Sequence, residues 1–143
     1  MVRTVVGELH KDFENKGIEL SLGVPARLPE MQLDRRQVAF ALRALLENAL
    51  KFIPRGGQVA LGAVVTPEEV RLAVRDNGPG IPKEELPKVF EKFYQVDPER
   101  TGQVRGFGLG LFYARQFAQN HGGNVLLESE AGQGTTAILI LPR

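Results

Sequence analysis

DNGPGI, residues 76–81, ends the alternating run EVRLAVR (69–75). An aspartate at a strand end, with glycines on either side of a proline, reads most simply as a strand-to-helix connector. It is equally an acceptor-only carboxylate on a sharply bent backbone, a group that would select an exocyclic amine such as that of adenine. The rest of the chain has to decide between the two.

Upstream, QVALGAVVT (58–66) is a second alternating run, and the turn at Pro67 joins the pair as a hairpin. Before it, Asp34 opens a helix, with Gln37 three residues on in a capping-box pattern. Val38, Ala41, Leu42, Leu45, Leu46, Ala49 and Phe52 follow on one face, and Pro54 with Gly56-Gly57 stops it. Arg43, Glu47 and Lys51 lie four apart on its polar face, with Asn48 at the shoulder. An ordinary exposed ion pair accounts for Glu47 and Lys51 taken alone. Earlier still, Val2, Val5, Val6, Leu9 and Phe13 give residues 2–16 a helical spacing that ends at NKG. IELSLGV (18–24) reads as a half-buried strand, PARLPE as a turn and MQL (31–33) as a short strand.

Downstream, PKEELPKVF places a proline at a first helical position, so a short helix is predicted after Ile81. Residues 94–108 have no period and read as one long loop, of the kind that is usually functional or disordered. The following RGFGLGLF (105–112) is not the dinucleotide fingerprint, because no strand precedes it. It leads into a helix start, where free N–H groups favour an anion; phosphate contact, hinge and plain turn all remain open for it. A helix from about Leu109 to His121 ends at Gly122-Gly123. NVLLESE and TTAILIL are strands around the turn AGQG (131–134). Helices interleaved with a partly antiparallel sheet give an α/β sandwich of two layers.

The 143 residues suit one domain, and 18 basic against 17 acidic residues leave a net charge of +1. That balance offers no electrostatic case for nucleic acid or anionic membrane as the main partner. The absence of cysteine excludes disulfides, thiolate catalysis and Cys-ligated zinc, and His10 and His121 are too few for a multi-histidine metal site. No apolar run approaches the ~20 residues of a membrane span. The chain reads as cytoplasmic.

LLENALKF (45–52), DNGPGI (76–81), FEKFY (90–94), GFGLGL (106–111) and GQGTT (132–136) stand in this order. Together they resemble the N box, first glycine box, F box, second glycine box and final turn of one family. It is the catalytic, ATP-binding domain of bacterial sensor histidine kinases, within the gyrase/chaperone/MutL-type ATPase superfamily. The resemblance runs from about Gly17 to Pro142. It implies the Bergerat ATP-binding fold: a mixed, largely antiparallel sheet of about five strands, about three main helices on one face, and a mobile ATP lid over residues 94–108.

The resemblance also implies roles. Asn48 would hold the Mg²⁺ that bridges the ATP phosphates. Glu47 would sit near the γ-phosphate to orient or activate the accepting histidine, and Lys51 would contact phosphate. Phe52 would line the pocket, Asp76 would accept from the adenine amino group, Gly78 and Gly80 would let the backbone approach the base, and Ile81 would pack on it. Thr136 would support adenine through water. Gly106, Gly108 and Gly110 would wrap the phosphates, with Leu109, Leu111 and Tyr94 in the same nucleotide site. Phe90 and Phe93 would pack the base of the lid. Two positions depart from the family pattern: Ala44 stands where an asparagine is common, and Gln95 where an arginine is. Lys92, Arg100 or Arg105 would supply that cation instead.

The implied chemistry is transfer of the γ-phosphoryl group of Mg-ATP to a histidine on a separate dimerisation domain, with a response regulator downstream. Neither His10 nor His121 has the context of an acceptor, and a dipole or capping role suits His121. Residues 1–16 are read as the remnant of a connector from the dimerisation domain and 17–143 as the catalytic domain, a monomer in isolation. The rival readings are a serine-directed kinase or gyrase-type ATPase of the same superfamily, and a degenerate nucleotide-binding interaction module.

Overall fold

The computed structural model describes residues 1–91 and 110–143. Helix α1 (Val2–Asn15) forms on the predicted stripe, and Val2, Val5, Val6, Leu9 and Phe13 are all buried. Phe13 and Leu9 are among the largest fully buried side chains, each contributing roughly 1.5–3 kcal/mol. They enter the same core as the buried face of α2 (Arg35–Phe52).

Five strands make one sheet in the order β1-β2-β3-β5-β4. β1 (Glu19–Gly23) and β2 (Gln58–Val65) run parallel, with α2 as the crossover that parallel strands need. β2 and β3 (Glu69–Asp76) form the predicted hairpin. β4 (Asn124–Glu130) and β5 (Gly134–Pro142) form a second hairpin, and β5 inserts between β3 and β4. Val70, Leu72 and Val74 of β3 and Ala137, Leu139 and Leu141 of β5 face the helical layer and are buried, as the period of two requires. The two-layer sandwich with three helices is the predicted architecture.

Four local expectations need correcting. β1 is mostly exposed rather than half-buried, because it is an edge strand; only Leu20 is partly covered. MQL makes no strand: Met31 and Leu33 instead rest on the core beside α2. PKEELPKVF yields only a 3-10 turn at Leu86–Lys88, since Pro87 removes the N–H that an α-helix would use there. The capping box is half made. Asp34 Oδ1 accepts from the N–H groups of Arg36 and Gln37 at 3.0 and 3.2 Å, but the Gln37 side chain turns to Asn120.

His121 supplies the other half. Its Nε2 accepts the Asp34 N–H at 2.9 Å and its Nδ1 lies 2.8 Å from the Phe117 carbonyl. An amide can only donate, so the ring is neutral with its proton on Nδ1. His121 therefore caps α2 from the end of α3 (Gly110–Asn120), which itself closes on a Schellman motif. Gly122 takes φ +80° and the Gly123 N–H bonds back to Ala118 O at 2.9 Å.

Candidate active site

Three elements meet around the C-terminal half of α2. The start of α3 abuts its flank: a Cβ on Gly110 would lie 3.7 Å from the Ala44 methyl. Ala44, one turn before Asn48, is thus a packing contact between the two helices. On the other side Gly78 stands against Ile53, whose Cα would be 3.6 Å from an added Cβ. Asn48, Lys51 and Phe52, all half-buried, lie in the stretch that α3 and the DNGPGI loop bracket.

Asp76 is the last residue of β3, only 8% exposed, and sits on the face that looks toward the helices. Its Oδ1 accepts the Gly78 N–H at 2.9 Å and the Thr135 N–H at 3.3 Å. Burial pushes its pKa up, and the two amides pull it partly back. Both amide hydrogen bonds use one oxygen, and Oδ2 has no hydrogen-bond partner among the described residues.

The loop that holds Asp76 is locked to the β4–β5 turn. Gly80 has φ +75°, and a Cβ there would fall 2.1 Å from the Glu130 carbonyl oxygen. The Gly132 N–H donates to Pro79 O at 2.6 Å, and the Ile81 N–H to Ser129 Oγ at 2.7 Å. Ser129 Oγ is also 2.9 Å from Thr135 Oγ1. Gly80 is therefore demanded by protein packing. Ile81 is 3% exposed and stands apart from the main core cluster, and Asn77 pins the loop to β2 through the Gln58 N–H at 2.8 Å.

Two expected site residues have neighbours of their own. Thr136 pairs with Arg75 and shares the face away from Asp76 and the helices, whereas Thr135 is the register partner of Asp76. Thr135, which the sequence reading missed, is the residue beside the carboxylate. Glu47 is turned to Arg43 at 3.3 Å, and Arg43 is also held by Glu8 of α1 at 2.6 Å. That stripe lies about 100° around α2 from Ala44 and Asn48, toward α1.

Lys51 has no carboxylate partner among the described residues; its Nζ lies 5.7 Å from the Phe52 ring centroid. Desolvation lowers its pKa. A partly buried cation without a counter-ion is poised for an anionic ligand. Arg115 of α3 stacks on Phe90 at 4.1 Å and donates through Nε to Asn124 Oδ1 at 3.0 Å, so Phe90 is tied to α3. Leu111 packs against the core at the start of α3. Lys92, Phe93, Tyr94, Gln95, Arg100, Arg105, Gly106, Gly108, Leu109 and the lid expectation lie outside the described residues.

A helix-covered sheet with a buried acceptor at the end of β3 and an amide and a lysine on the adjoining helix defines a two-layer α/β sandwich. The chain belongs to the histidine kinase-, DNA gyrase B-, and HSP90-like ATPase family, whose sequence model matches residues 33–143. Over 127 residues it is 39% identical to the sensor histidine kinase WalK of Bacillus subtilis, covering 87% of this chain and 21% of WalK. Over 136 residues it is 37% identical to the adaptive-response sensory kinase SasA of Prochlorococcus marinus, covering 94% of this chain and 36% of SasA. The solved structure of full-length ShkA in complex with AMPPNP is similar with a TM-score of 0.85 at 31% identity, over 99% of this chain and 29% of that one. The chain spans well under half of each of these proteins, and what it matches in them is the catalytic, ATP-binding domain of a sensor histidine kinase.

Proposed function

We propose that this domain binds Mg-ATP between α2, the DNGPGI loop and the start of α3, and presents the γ-phosphoryl group to a histidine on a separate dimerisation domain. The observation that carries the reading is Asp76: a buried carboxylate with Oδ1 fixed by two backbone amides and Oδ2 left to take the adenine amino group. Lys51 supplies positive charge for the phosphates, and the first N–H groups of α3 supply donors. Thr135 braces the carboxylate.

A divalent ion fits this donor set only together with the nucleotide. Among the described residues no group of three or more His, Cys, Asp or Glu could hold a metal. Mg²⁺ characteristically takes one or two protein oxygens and completes its shell with phosphates and water. The Asn48 amide oxygen would be that protein ligand, and the ion would neutralise charge on the transferring group.

The phosphoacceptor comes from outside the described histidines. Both ring nitrogens of His121 are engaged, and His10 makes a 3.7 Å pair with Glu14 on the surface of α1. The proposed partners are the dimerisation/phosphoacceptor domain of the parent kinase and, through it, a response regulator. No helix among the described residues is long and apolar enough to cross a membrane, and a cytoplasmic placement of this domain is part of the proposal.

Calorimetric titration of AMP-PNP, with and without Mg²⁺, against wild type and Asp76→Asn tests the reading. Mg²⁺-assisted binding that collapses in the variant is the expected result. A wild-type protein that binds no nucleotide would turn the reading to an interaction module.

A further inference from the structure

The turn of α2 that carries Asn48 and Lys51 ends on a missing hydrogen bond. The Leu50 carbonyl would accept from the N–H four residues on, but residue 54 is proline and has none. Lys16, at the C-cap of α1, fills the gap: its Nζ donates to Leu50 O at 2.6 Å. The segment after α2 returns the contact. Arg55 Nη1 donates to the Asn15 carbonyl at 3.2 Å, and the Gly56 N–H to Lys16 O at 3.4 Å.

A second tie lies just before Asn48, where Arg43 holds Glu8 of α1 at 2.6 Å. α1 thus grips α2 on both sides of the Asn48–Lys51 turn. Lys16 is held there against its own interest, since burial and the nearby Arg55 charge both disfavour its ammonium. Water could satisfy an exposed helix-end carbonyl without those costs. A lysine kept in place despite them fixes the position of the turn.

We propose that Lys16 is a positioning residue for the phosphate end of the nucleotide site, supplying the donor that Pro54 lacks and so setting where Asn48 and Lys51 stand. The adenine end has its own main supports, the β3–β5 ladder, the β4–β5 turn and the Asn77 tie to β2. The inference rests on the nucleotide reading above.

The test is an NMR titration of the whole chain with adenosine and with Mg²⁺–AMP-PNP. Wild type and Asp76→Asn come first: adenosine binding that the variant loses supports the nucleotide reading on its own. Lys16→Met is then expected to leave adenosine affinity within about two-fold while weakening Mg²⁺–AMP-PNP about five-fold, the scale of one hydrogen bond. The Asn48 side-chain amide signal should move, with the Gly78 and Thr135 amides unchanged. Lys16→Arg, which keeps a cationic donor, should restore most of the lost affinity, and Lys16→Gln should behave as a milder Lys16→Met. Equal loss for both ligands, loss for neither, or no rescue by arginine would overturn the proposal. Wild type that fails to bind adenosine would overturn the underlying reading instead, a result separable from all of these.

Discussion

Asp76 and Thr135 are register partners across the β3–β5 ladder, and the Thr135 amide donates to Asp76 Oδ1 at 3.3 Å. The last strand of the sheet therefore aims the carboxylate that ends the third. Burial nevertheless dominates the titration of Asp76 and raises its pKa above the ordinary 3.8. The folded protein then holds this proton more tightly than the unfolded chain does, so stability falls as pH rises from 3.8 through the folded value. Asp76→Asn lacks that penalty. Denaturant unfolding of the nucleotide-free protein should show the variant gaining on wild type as pH rises from 3.8 through the folded value. Nucleotide affinity of wild type should fall on acidification through the same window, with no such fall in the variant.

The two adjacent threonines should behave differently. Thr135→Val removes the hydroxyl that meets Ser129 at 2.9 Å and should weaken AMP-PNP binding about five-fold in calorimetry, the loss of one hydrogen bond. Thr136→Val, on the face away from Asp76, should stay within about two-fold. The reverse order would return Thr136 to the site.

Gly80 and Gly56 make a matched pair, with φ of +75° and +80°. A Cβ on Gly56 meets nothing within 4 Å, while one on Gly80 lies 2.1 Å from the Glu130 carbonyl oxygen. Gly56→Ala should cost about 1–2 kcal/mol, the backbone term alone. Gly80→Ala should cost clearly more in chemical denaturation, because the β4–β5 turn must also give way. Nucleotide binding should weaken in Gly80→Ala only.

Lys51→Met separates stability from function. The lysine is partly desolvated, with no carboxylate partner among the described residues, so its charged form is disfavoured in the fold and its pKa lies below 10.5. Wild-type stability should rise as pH climbs through the folded value toward 10.5, and this rise should vanish in the variant. At neutral pH Lys51→Met should be as stable as wild type or more so. Its affinity for Mg²⁺–AMP-PNP should drop about ten-fold, the effect of one charge-assisted contact, with adenosine binding unchanged.

The elements with a long, unambiguous period were legible in the sequence. The buried face of α1, and that of α2 apart from Ala44 and the half-buried Phe52, were read correctly because apolar residues recur there on one side only. The buried face of β5 was not legible, because TTAILIL is apolar at both parities and period two cannot choose between Thr135 and Thr136. Ala137, Leu139 and Leu141, set against the inward Val70, Leu72 and Val74, would have chosen Thr135, but only once the pairing was known. The surroundings of Glu47 were only partly legible: spacing shows that Arg43 and Glu47 are neighbours, not that Glu8 of another helix also holds Arg43. His121 capping Asp34 joins residues 87 apart in sequence, beyond any local pattern.

The strand order also bears on how the protein is made. β5 follows β4 in the chain yet lies inside the sheet, between β3 and β4. Until the chain has emerged as far as residue 142, β3 has a raw edge and Asp76 has no brace from Thr135. Such non-local closure is slow and leaves unpaired strand edges exposed in the interim. A nascent chain stalled before β5 would thus carry nearly every residue of the proposed nucleotide site and still lack its brace, and on that proposal ATP stabilises only the finished domain.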